Sequence, residues 1–97
     1  MKKPETHEVE LRRDEYAALI RNAMIMAACE DMLASPRRRS GYVVLCLTEG
    51  QLQDLTGWVA AEANHAKTRD EEESLGEVCD HLESVLTSIG MRKSGTE

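Results

Sequence analysis

Phenylalanine is absent from this 97-residue sequence, Trp58 is its one tryptophan, and Tyr16 and Tyr42 are its two tyrosines. A short chain buries a modest share of its surface, and without large aromatics its core is thinner still. Three cysteines, Cys29, Cys46 and Cys79, are odd in number and widely spaced. That excludes a disulfide framework, and their apolar contexts predict buried, reduced thiols. No apolar run is long enough to span a bilayer; the longest, Ala23 to Cys29, is far too short. The opening MKKPETHEVEL has lysines but no apolar core behind them, so it is not a secretory leader. Together these read as a soluble, cytoplasmic chain of one domain.

Catalytic signatures are also missing. There is no GxSxG, no Gly-rich phosphate loop, no HExxH and no CxxC. His7, His65 and His81 share no metal-ligand spacing and are expected at the surface, so neither a metal nor a cofactor is expected. The net charge of −6 argues against general nucleic-acid affinity.

What is present is patterned. Tyr42 to Leu47 (YVVLCL) is a continuous apolar run of strand length after Ser40 and Gly41, which fits a strand covered on both faces. Thr48 and Gln51 form a capping box. Behind it, Leu52, Leu55, Val59, Ala63 and Ala66 recur at helical spacing. The opposite side of that helix collects Gly50, Gly57, Ala60, Ala61 and Asn64, small residues that let another backbone approach.

Earlier, His7 to Arg12 alternates apolar and polar, which fits a half-buried strand or the frayed first turn of a helix; the strand is the favoured reading. A helix follows from Asp14, its N-cap, to Ala34, before Pro36. Its block Ala23 to Cys29 is apolar all round, which predicts burial on every side and more apolar helical surface than this chain can enclose. Val9, Leu11, Tyr16, Leu19, Ala23 and Ala27 fall on Leu45, Leu47, Leu52, Leu55, Val59 and Ala63 without a gap, the sign of an internal repeat. Residues 35–41 read as a linker loop carrying the one basic cluster, Arg37, Arg38 and Arg39. Thr68 and Glu71 cap a third helix, whose stripe runs from Leu75 to Ile89 with Gly90 as its stop. Its apolar stripe is out of phase with that of the preceding helix, so the two must fold into an antiparallel hairpin. Residues 1–6 and 91–97 read as loose tails.

The expected fold is α+β, mostly helical, with two strands and three helices in the order βαβαα. A strand followed by two helices resembles the element order of ribbon-helix-helix DNA-binding modules. The strand Tyr42 to Leu47, however, carries no Arg, Lys, Asn or Gln to read bases, so no family is assigned. The leading functional expectation is a small non-enzymatic interaction or adaptor protein acting as a homodimer. Met24, Ile25, Ala28, Gly57, Ala60 and Ala61 are its expected interface. The alternative is a dimeric nucleic-acid-associated regulator using Arg37 to Arg39. A third is a ligand or catalytic pocket at the subunit boundary, lined by Trp58 or the methionines. Glu30, continuing the apolar stripe of the first helix, is the expected buried ion-pair acid.

Overall fold

The computed structural model describes residues 5–94, with side-chain surroundings through residue 90. Chain order is β1 (Thr6–Leu11), α1 (Arg13–Arg21), α2 (Ala23–Leu33), β2 (Arg37–Arg39), β3 (Tyr42–Thr48), α3 (Glu49–Asn64) and α4 (Arg69–Ser94). The α+β class, the strands around Val9 and Leu45, and the closing helix hairpin agree with the sequence pattern. The element count does not: the described residues form four helices and three strands.

The extra strand comes from the expected linker. Arg37 to Arg39 pairs antiparallel with Val44 to Tyr42, and β1 pairs with the other edge of β3, giving the order β1-β3-β2. Ser40 (φ 51°) and Gly41 (φ 85°) make the connection. A two-residue hairpin loop of this hand needs positive φ at both positions, which glycine adopts without strain. Three consecutive arginines carry no strand pattern; the register against β3 makes them one.

The extra helix comes from a break at Asn22. Its backbone is extended (φ −88°, ψ 114°), its side-chain oxygen accepts from the Ile25 N–H at 2.9 Å, and its amide donates to Glu62 at 3.1 Å. Asparagine here is an N-cap, satisfying one orphan donor of α2. The first helix also starts earlier than expected, at Arg13, with Arg12 rather than Asp14 at the cap. The helical hydrogen bonding of α4 runs through Gly90 to Ser94. A mid-helix glycine costs about 1 kcal/mol but does not end a helix by itself. The expected tails otherwise lie largely outside the described residues.

One core fills the space between the sheet and the helices. Val9, Leu11, Val43, Leu45 and Leu47 face it from the sheet. Leu19, Ile25, Leu33, Leu52, Leu55, Val59, Leu75, Val78 and Leu82 face it from the helices. Ile25 is fully enclosed by its own chain, which corrects its assignment to a subunit interface. The block Ala23 to Cys29 is therefore two-sided: Ile25 and Cys29 point inward, while Ala23, Met24, Ala27 and Ala28 are exposed and Met26 is half-buried.

The internal repeat has structural counterparts. Thr6 and Tyr42 open strands, Arg12 and Thr48 are N-caps, and Glu15 and Gln51 reach back to the cap N–H, each pair 36 positions apart. Val9 and Leu45, also equivalent, lie directly opposite each other in the sheet. An antiparallel pair meeting at equivalent residues places a local pseudo-two-fold between them. The likeness ends at Asn22, where the first half breaks; α3 runs unbroken through Trp58, the matching position.

Candidate functional site

Three regions of the surface carry chemistry or exposed apolar area. The first is the junction of α1 and α4. Glu15 is the one charged side chain buried among the described residues, at 5 % exposure. One carboxylate oxygen accepts from the Arg12 N–H at 2.8 Å, and the other lies 2.9 Å from His81 Nδ1. An imidazole donating from Nδ1 to a carboxylate is fixed in orientation. Arg12 adds its guanidinium, 3.3 Å from Glu77 on α4 and 3.3 Å from Asp14. Arg12, Glu15, Tyr42, Glu77, Asp80 and His81 line an open cleft of about 390 Å³. The cleft lining holds no serine, cysteine or threonine to act as a nucleophile. Among the described residues no three His, Cys, Asp or Glu converge as a metal set. The arrangement ties two helices together.

Sequence reasoning named the wrong acid here. Glu30 is exposed. The available signal was the repeat itself, which sets Glu15 at the position of Gln51, three residues past a cap.

The second region is the sheet face away from the core. Opposed residues of antiparallel strands share a face, so Glu8, Glu10, Arg37, Arg39, Tyr42, Val44 and Cys46 stand together there. Arg39 grips Glu8 through two hydrogen bonds, at 3.1 and 2.9 Å, and lies 3.8 Å from Glu10. The hydrogen bonds and charge of Arg39 hold the Glu8 carboxyl below its ordinary range, and Glu8 in turn raises the Arg39 guanidinium. The register forces the Arg39 side chain across the sheet on its way to Glu8, and Val44 on that face is only 1 % exposed. Two acids thus oppose the two outward-facing arginines, and Arg38 stands on the opposite side of the strand. Of the three arginines, Arg39 is the one held in ion pairs, so its charge is the one drawn away from phosphate. Because β3 is flanked on both edges, it cannot pair with a mate as the strand of a ribbon-helix-helix dimer does.

Cys46 is exposed on this face, against the expectation of a buried thiol. A run apolar at every position suggested cover on both sides of β3, and on the outer side that cover reaches Val44 but not Cys46. Cys29 and Cys79 are buried. Desolvation raises both thiols, helped by Asp54 at Cys29. For Cys79 burial comes first and a bond to Glu83 at 3.5 Å second, together pushing it up to about 11.

The third region is the outer side of α2 and α3. The Asn22–Glu62 bond and the proximity of Cys29 to Asp54 show the two helices running antiparallel. Met24 and Trp58 are large apolar residues left exposed here, at 53 % and 38 %, and Ile20 is exposed at the end of α1 just before the break. Of the expected interface residues, Met24, Ala28, Gly57 and Ala61 are exposed and Ala60 is half-buried against the chain's own core. A Cβ added at Gly57 would meet nothing within 4 Å, so the fold itself does not require glycine there. Gly57, Trp58 and Ala61, with Gln53 and Asp54, line a shallow depression of about 360 Å³. Among the described residues no helix is long and apolar enough to cross a membrane.

No family model, curated protein or solved structure matches this chain.

Proposed function

We propose that this chain is a small non-catalytic interaction protein that works as a homodimer in the reducing cytoplasm, joined through the outer side of α2 and α3. The observation that carries the reading is the exposure of Met24, Ala27 and Ala28 on α2 and of Gly57, Trp58 and Ala61 on α3, two helices joined by the Asn22–Glu62 bond. Scattered exposed apolar residues are ordinary. Several on two adjacent helices, next to a glycine with no intrachain purpose, favour a packing surface. The cleft at Glu15 and His81 offers an oriented imidazole but no serine, threonine or cysteine beside it, and it is open to solvent, which supports a structural role.

The test is light scattering with Met24→Asp and Trp58→Ala. Each is expected to lower the average mass at a fixed micromolar concentration while leaving the helical circular dichroism unchanged. Equal masses for both variants and the parent chain would reject this surface.

A further inference from the structure

We infer that the break at Asn22 is a hinge through which two copies of this chain exchange their β1–α1 arms. The inference rests on the self-association proposed above, but not on the surface assigned to it. The segment from Arg13 to Leu33 has no proline or glycine, and nothing in residues 21–23 forbids a helix running through them. The matching segment of the second half does run through, unbroken at Trp58. The break is held by the polar contacts of one residue. Asn22 caps Ile25, its amide holds Glu62, and its N–H bonds to the Leu19 carbonyl at 3.2 Å.

The arm on the N-terminal side is suited to exchange. β1 is an edge strand, so it can leave without splitting the sheet. The arm is held by contacts to segments beyond the hinge. β1 pairs with β3, Glu15 meets His81, Arg12 meets Glu77, and the Tyr16 hydroxyl donates to the Leu33 carbonyl at 2.7 Å. Each of these can be remade with the same atoms of a second copy if α1 runs on into α2 as one helix as far as the kink at Cys29 (φ −122°, ψ 24°). Straightening also gives the first N–H groups of α2 acceptors in the turn before them, which a helix start lacks. Exchange of an identical element through a hinge is a low-cost route to a dimer.

Two substitutions at the hinge test this in the full chain by sedimentation velocity. Ala23→Pro fixes the broken form. Ala23 is the first helical position, where proline is accepted, and the extended backbone of Asn22 is what a following proline requires. Asn22→Ala removes the cap and the Glu62 bond and favours the continuous helix. The expected result is a shift of Ala23→Pro to the mass of one chain and of Asn22→Ala toward twice that mass, with added helical signal at 222 nm. A dimer that survives Ala23→Pro but is lost in Met24→Asp overturns the exchange and leaves surface docking standing. One lost in Ala23→Pro but kept in Met24→Asp supports exchange and removes docking. If Asn22→Ala and the parent chain both stay at the mass of one chain, the hinge is overturned outright.

Discussion

Replacing Glu15 separates two tasks that one carboxylate performs. One oxygen caps the Arg12 N–H at 2.8 Å and the other meets His81 at 2.9 Å. Glutamine at the same position can still cap, because Gln51 does so for the Thr48 N–H at 2.9 Å in the second half. Glu15→Gln therefore keeps the cap and loses only the charge facing His81 and Arg12. A hydrogen bond to a charged group contributes about 1.5–3 kcal/mol against about 0.5–1.5 for a neutral one, so the expected cost is about 1 kcal/mol. Glu15→Ala loses the cap as well, about 1 kcal/mol, and the whole bond to His81, for a total of about 3 kcal/mol. In a domain of this size about 1 kcal/mol moves the melting temperature by about 4–8 °C, so the two variants are well resolved. Urea unfolding followed at 222 nm, with His81→Ala in each background, completes the cycle. Coupling between position 15 and His81 should be present in the parent chain and smaller by about 1 kcal/mol in Glu15→Gln. Equal destabilisation by the glutamine and alanine variants, or no coupling to His81, would refute the reasoning.

Gly57→Ala should raise the stability of the single chain by about 0.5–1 kcal/mol, since an added Cβ meets nothing and alanine favours the helix. Urea midpoints at sub-micromolar concentration measure it. Iodoacetamide at pH 8 should label Cys46 in the folded chain, while Cys29 and Cys79 react only after unfolding, as peptide mass spectrometry would show. The sign of the pH dependence differs between Cys79 and Glu8. A thiol raised by burial favours its neutral form in the folded chain, so folding is penalised as pH rises from the ordinary thiol range through about 11. The depressed Glu8 carboxyl contributes stability above the ordinary glutamate range, lost as pH falls through the lowered value. Arg39→Ala should return the Glu8 titration, followed by NMR, toward that of a free glutamate.

Much of the fold was legible because it rests on periodicity. The alternation around Val9, the stripe from Leu52 to Val59 and the phase shift before Leu75 each follow from which face is buried. What escaped depended on single side chains meeting distant partners. Asn22 breaks a helix through Glu62, forty positions away, and no local signal of proline or glycine announces it. Arg37 to Arg39 become a strand only because β3 presents an open edge. Exposure of Cys46 follows from cover on the outer sheet face that reaches Val44 and stops short of Cys46, which a run apolar at every position conceals. Glu15 lay hidden because its partner His81 is 66 residues on, although the 36-residue repeat marked its place. The apolar block around Ile25 did signal surplus apolar surface, but part of it turned into this chain's own core.

Self-association is the claim on which the proposed interaction surface and the proposed arm exchange both depend. Sedimentation equilibrium of the unmodified chain over a micromolar series should converge on twice 10.9 kDa and fall toward 10.9 kDa on dilution. A mass of 10.9 kDa throughout that series, with Trp58 emission unchanged, contradicts it.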